Sequence, residues 1–125
     1  MTKLNCKKKI VIVSSSRADY GQLKELIKLF KKSEKFKLNF IVTGLHLNKL
    51  SGYSYKEIKK DNILINSFIK VDIKNFKPED IANYHSMYVK KFTNFFKKNC
   101  LDLVMVLGDR YEIFSVVTCC LFLGI

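Results

Sequence analysis

The chain has 125 residues, 48% of them hydrophobic, four cysteines and a formal net charge of +12. That length holds one compact domain with a real core and leaves no room for a second of ordinary size. No apolar run approaches the ~18 residues of a membrane span, and Met1 to Lys9 lacks the apolar core of a signal peptide, so a soluble, cytoplasmic protein with no membrane partner is expected.

The positive charge invites a nucleic-acid reading, because clustered basic side chains release counterions from a phosphate backbone. Its distribution argues otherwise. All the basic residues except Arg17 and Arg110 are lysines, scattered over what read as solvated helix faces, so no nucleic-acid partner is expected. Cys6, Cys100, Cys119 and Cys120 show no C-x-x-C spacing and read as reduced, structural thiols.

In chain order, Ile10–Val13 is a β-branched run without polar alternation, as in a strand covered on both faces. A polar loop, Ser14 to Gly21, follows it, and then Leu23, Leu26, Ile27 and Phe30 recur at helical spacing. Leu38–Val42 reads as a second strand closing in Thr43-Gly44-Leu45-His46, with a short helix near Tyr55 to Lys59. Ile63 to Val71 gives a third strand. Pro78-Glu79-Asp80 starts a helix to about Lys98 that carries Ile81, Tyr84, Tyr88, Phe92, Phe95 and Phe96 on one stripe. Leu103–Leu107 is the most apolar strand, ending in Gly108-Asp109-Arg110 before an apolar helix from Tyr111 to Leu123.

Alternating strands and helices imply an α/β fold with a Rossmann-like parallel sheet, strand order 3-2-1-4 and right-handed crossovers. The chain stops at Gly124-Ile125, where the next strand of such a sheet would begin, so the sheet reads as unfinished and the domain as truncated. In doubly wound sheets ligands bind beyond the carboxyl ends of the strands where the order reverses, here between strands one and four. The loops facing that crevice, Ser14 to Gly21 and Gly108 to Glu112, hold both arginines of the chain.

Arginine's planar fork of donors suits phosphate, whereas lysine is a hydrated point charge, so a lysine-biased chain keeps arginine where geometry matters. The expected ligand is a phosphate or diphosphate, with an ion pair from Arg17 or Arg110 to Asp19 or Asp109 as the competing structural reading. Backbone amides near Asp19 to Gly21 would add an anion site at the start of the first helix, with Gly21 allowing close approach. Asp109 could serve as a base, acid or electrostatic stabiliser, or cap a helix. Glu112 could orient Arg110, contact the ligand or simply favour a helix N-terminus. His46 could hydrogen-bond a sugar or shuttle a proton, while His85 reads as structural.

No Walker loop, G-x-G-x-x-G, G-x-S-x-G, H-E-x-x-H or zinc-ligand spacing is present. Three segments in register, Ser15-Ser16-Arg17-Ala18-Asp19-Tyr20-Gly21, Thr43-Gly44-Leu45-His46-Leu47 and Gly108-Asp109-Arg110-Tyr111-Glu112, together with Gly52, Ile58 and Asp61, resemble the hydrolysing UDP-N-acetylglucosamine 2-epimerases.

That resemblance implies two Rossmann-like domains in a GT-B arrangement with a UDP-sugar between them, residues 1–125 giving an incomplete first domain and the second UDP-binding domain being absent. It implies no cofactor, no metal and a full-length homo-oligomer, dimer or tetramer. The implied reaction eliminates UDP to give a 2-acetamidoglucal and then adds water, releasing an N-acetylmannosamine-type sugar for sialic- or legionaminic-acid synthesis. By motif, Arg17, Ala18 and Gly21 would contact UDP, Asp109 would be a catalytic carboxylate, Arg110 would hold the nucleotide and His46 would line the sugar side. The chain by itself would be inactive. A non-catalytic nucleotide-binding module is the alternative, sharing the sheet and the arginine loops without needing Asp109.

Overall fold

The computed structural model describes residues 6–125; Met1–Asn5, part of the segment inspected for a signal peptide, lie outside the described residues. The first strand, β1 (Lys8–Ser14), buries every residue from Ile10 onward. Alternate side chains serve opposite layers, as a pleated strand requires. Val11 and Val13 pack with Ile41, Tyr88 and Phe92, whereas Ile10 and Ile12 pack with Leu23, Ile27 and Phe40.

The next element begins earlier than expected: α1 spans Arg17–Lys32, so Arg17 to Gly21 form its first turns and not a loop. Ser16 is the cause. Its side chain accepts from Asp19 N at 3.3 Å, satisfying one of the amides that a helix start leaves without a partner. Tyr20, Leu23 and Ile27 then face the core, with Lys31 and Lys32 in the last turn, where the helix dipole favours cations.

The second strand, β2 (Phe36–Thr43), runs directly into 3-10 turns at Gly44–Leu47 and Lys49–Ser51 and then α2 (Tyr55–Lys60). The third, β3 (Ser67–Ile69), is shorter than the Ile63–Val71 run. Ile63 and Val71 are buried all the same. Ahead of the ladder, Asn66 bonds the chain to β2 with its side chain as well as its backbone: Oδ1 accepts from Phe40 N at 2.8 Å, and its N–H donates to Phe40 O at 2.9 Å.

Pro78 in the first turn, followed by Glu79 and Asp80, opens α3 (Pro78–Lys98), which buries Tyr84, Tyr88, Phe92 and Phe96 at helical spacing. Ile81 and Phe95 are only half-buried. The last strand, β4 (Leu103–Val106), ends one residue before Leu107, and α4 runs Tyr111–Leu123 to a left-handed Gly124, φ +70°. Cys119 packs in the core with Sγ 3.3 Å from Val89 O, but Cys6 and Cys100 lie on the surface, so the structural role expected of all four thiols does not extend to those two.

The sheet order is β3-β2-β1-β4, all parallel, as the alternation of elements implied. Strand β4 is an edge, and α4 beside it leaves Phe114, Val117, Leu121 and Phe122 exposed. Among the described residues no helix is long and apolar enough to cross a membrane. The order reverses between β1 and β4, the position at which the loops leaving the carboxyl ends of a doubly wound sheet flank the ligand crevice.

Candidate functional site

The β1–α1 connection supplies the first wall of the crevice. Asp19, the third residue of α1, is 7% exposed, and its Oδ2 accepts from Ser15 Oγ at 2.7 Å and Ser15 N at 3.2 Å. With Ser16 accepting in the other direction this is a close variant of the capping box, and it locks the turn. The amide of Asp19 is occupied by Ser16 and that of Tyr20 by Ser16 O at 3.1 Å. The amides left without a partner at this helix start are therefore those of Arg17 and Ala18, two residues earlier than the Asp19 to Gly21 stretch expected to offer them. Gly21 faces open space, where a Cβ would meet nothing within 4 Å.

Strand β2 delivers the second wall. Gly44 adopts φ +58°, and a Cβ there would collide with Glu112 Oε1 and stand 3.0 Å from the Ser15 carbonyl oxygen. Glycine is required on both counts. His46, two residues on, is wholly enclosed: Nε2 lies 2.8 Å from Ser14 Oγ, Nδ1 lies 2.8 Å from Ser54 Oγ, and its backbone N–H donates to Ser15 O at 3.3 Å. The Tyr20 ring packs against it edge to face. Burial pushes this imidazole down to about 4, the Asp19 charge pulling back only in part. It is therefore neutral, a tie between β1, the 3-10 turn and the residue preceding α2.

The β4–α4 connection closes the third side. Gly108 adopts φ +102°, and a Cβ there would sit 3.1 Å from Asp19 Oδ1, so this loop lies directly against the β1–α1 turn. Asp109 is exposed, and its carboxylate has no hydrogen-bond or ion-pair partner among the described residues. Arg110 caps α4, accepting from Phe114 N at 3.0 Å. Its Nε donates to Glu112 Oε1 at 3.1 Å, with Nη2 also 3.1 Å from that oxygen. Glu112 has no exposed surface, and burial pushes its carboxyl up while Arg110 pulls it down. The Tyr111 hydroxyl is buried without a partner and is pushed up to about 12 by burial and then by Glu112.

The structure thus brings the three segments singled out in the sequence to one end of the sheet. Arg110, Glu112, Asp19 and Asp109 share the β1/β4 side. His46 lies beneath the surface, without exposure of its own. Neither arginine pairs with the aspartates expected as alternatives; Arg17 meets Glu57 at 2.6 Å and Arg110 meets Glu112. Glu57 and Ser54 were not anticipated, nor was the bond that Ser14, expected in the first crevice loop, makes to His46. A cavity of about 340 Å³, lined by Leu47, Tyr53, Tyr55, Lys59, Phe68 and Lys70, lies on the β3 side and shares only Leu47 with these segments. Among the described residues no group of three or more His, Cys, Asp or Glu side chains is placed to hold a metal ion.

Comparison with known proteins bears on this arrangement. Residues 28–125 match the family model described as UDP-N-acetylglucosamine 2-epimerase. The polysialic acid biosynthesis protein P7 of Escherichia coli is 38% identical over 109 residues, covering 87% of this chain and 28% of that protein. The UDP-N,N'-diacetylbacillosamine 2-epimerase (hydrolyzing) of Legionella pneumophila is 36% identical over 118 residues, 94% of this chain and 31% of its own. An alignment of that extent cannot avoid the Ser15–Gly21 segment that the family model leaves out.

The fold is shared with a solved UDP-N-acetylglucosamine 2-epimerase at TM-score 0.81 and 19% identity, covering 96% of this chain and 32% of that one. The Neisseria meningitidis enzyme, solved bound to UDP-GlcNAc, gives 0.78 and 14%, covering 94% and 30%. This chain spans less than a third of the length of these relatives, and its Rossmann-like sheet is of the kind that forms one domain of a GT-B pair. With the matched span running through two of its three crevice loops and the fold shared throughout, the chain belongs to the UDP-N-acetylglucosamine 2-epimerase family.

Proposed function

We propose that this chain is the first, Rossmann-like domain of a cytoplasmic, homo-oligomeric hydrolysing 2-epimerase. Its substrate is UDP-N-acetylglucosamine or a related UDP-diacetamido sugar, and its products are UDP and an N-acetylmannosamine-type sugar. Elimination of UDP precedes hydration. The observation that carries this reading is the convergence of an unpartnered, exposed Asp109 with Arg110 and the helix start at Arg17 on the β1/β4 crevice. Elimination needs a carboxylate at the sugar and compensation for charge developing on the departing diphosphate.

Asp109 takes the first role, and Arg110, Arg17 and the amides of Arg17 and Ala18 take the second, with Gly21 leaving room for the nucleotide. Asp19 holds the turn that presents those amides. His46 shapes the sugar side by fixing the Gly44–Leu47 turn from below. Relatives described as hydrolyzing support the water-adding step. A second domain completes the site, so this chain alone turns nothing over.

Calorimetric titration with UDP tests the reading. Weak binding is expected, reduced about 10- to 100-fold by Arg110→Ala, the worth of a charge-assisted hydrogen bond to phosphate. Asp109→Asn, which breaks no contact within the chain, should leave both UDP binding and stability unchanged while abolishing sugar release in the whole enzyme. UDP binding indifferent to both arginines would refute the assignment.

A further inference from the structure

Arg110 and Glu112 stand two residues apart at the start of α4, in unlike surroundings. The arginine side chain is 28% exposed and the glutamate 0%. Glu112 Oε1 takes both the Nε and Nη2 contacts, whereas Oε2 is buried with no partner. A glutamate kept only for the helix dipole could do that work from the surface without losing its hydration. This one is instead seated where Gly44, lacking a Cβ, makes room for Oε1. The guanidinium is thus gripped along one edge only, and no acceptor among the described residues holds Nη1.

We propose that Glu112 is a positioning residue: its enclosed carboxylate clamps the Nε side of Arg110 and leaves the opposite edge of the guanidinium set for the diphosphate of the ligand. The inference rests on the reading of the crevice as a UDP-sugar site. Five donors in a rigid plane make such a division of labour possible, one edge for the protein and one for phosphate. An arginine already ordered in the empty site loses less freedom when the ligand arrives, a difference of up to about tenfold in affinity for one immobilised side chain. Burial pushes the Glu112 carboxyl up, and the Arg110 guanidinium held beside it pulls back in part.

The experiment uses Glu112→Met, Glu112→Gln, Arg110→Ala and the double variant Glu112→Met/Arg110→Ala. Methionine fills the same space without charge, and the released arginine is exposed enough to hydrate, so the single variant should fold. NMR of the Arg110 Nε–H group reads the clamp without any ligand. A slowly exchanging signal in the parent chain, lost in Glu112→Met and retained at least in part by Glu112→Gln, is expected; rapid exchange in the parent chain overturns the proposal.

UDP titration reads the consequence. Glu112→Met should weaken binding about tenfold and add nothing in the Arg110→Ala background, a coupling that a general structural defect would not produce. Full UDP affinity in Glu112→Met alongside a loss in Arg110→Ala also overturns it. If UDP does not bind the parent chain at all, the reading of the crevice fails, and the Nε–H signal still decides whether Glu112 clamps Arg110.

Discussion

The crevice has a floor and a rim, each with one arginine, and the two are held by different physics. At the rim, Arg17 Nη2 lies 2.6 Å from Glu57 Oε1, with side chains 68% and 46% exposed. At the floor, Arg110 lies 3.1 Å from a glutamate with no exposed surface. The shorter contact is the weaker restraint. Water screens the rim pair and both partners lose side-chain entropy to keep it, so it contributes at most about 1 kcal/mol. The floor pair sits where the effective dielectric is low, and what it contributes is less net stability than fixed geometry, because removing Arg110 strands the enclosed Glu112 carboxylate. Rank by distance would invert the order that burial establishes.

The largest effect should come from striking the floor where backbone and side chain meet. Gly44→Ala forces a left-handed residue to carry a Cβ, into Glu112 Oε1 and to 3.0 Å from the backbone oxygen of Ser15. The conformational penalty and the collision together should cost about 3 kcal/mol or more. Urea unfolding reads it. A loss below about 1 kcal/mol would mean that the floor yields as easily as the rim and would erase the contrast between them.

Next in size is the pH dependence of the floor, set by His46. Burial holds its imidazole at about 4 against an ordinary 6.5, so between those values the unfolded chain binds a proton that the folded chain refuses. Its contribution to stability is therefore whole above pH 6.5 and falls as pH drops toward 4, below which both states are protonated. A shift of this size amounts to about 3 kcal/mol across the window. Urea midpoints measured across it should fall for the parent chain and hold steadier for His46→Gln. Equal slopes would place the acid sensitivity elsewhere in the fold.

Legibility from sequence divides along the same line. Unbroken β-branched runs and alternating periodicity were enough for the parallel order β3-β2-β1-β4, since only a two-sided sheet buries every residue of Ile10–Val13. The bounds of α3 and α4 could be read because Pro78 and Gly124 mark their ends. The start of α1 was legible too: Ser16 with Asp19 three residues on is a helix-start signature, yet the polar run from Ser14 to Gly21 reads more readily as loop. Burial of His46 and Glu112 could not be read. Each depends on partners far along the chain, Ser14 for the histidine and Gly44 for the glutamate, and a polar residue between turn residues carries no local mark of enclosure. Glu57 was missed as the partner of Arg17 for the same reason. Nothing in its own helix singles it out from an ordinary solvated glutamate.

That missed glutamate gives the smallest and most pointed test of the rim. In the proposed reading Arg17 belongs to the diphosphate, so in the empty chain Glu57 occupies a donor that the ligand needs. Glu57→Gln should change stability by less than about 0.5 kcal/mol at low salt, and added salt should shrink that difference further, because a surface ion pair weakens as ionic strength rises. UDP affinity should rise about twofold at low salt, since a ligand no longer competes with a carboxylate whose hold is worth a few tenths of a kcal/mol. The floor allows no such gain: removing Glu112 deprives Arg110 of its support, so the two glutamate variants should move UDP affinity in opposite directions. Parallel losses from both would mean that Glu57 supports Arg17 as Glu112 supports Arg110, and exposure would then be no guide to which ion pair a ligand must break.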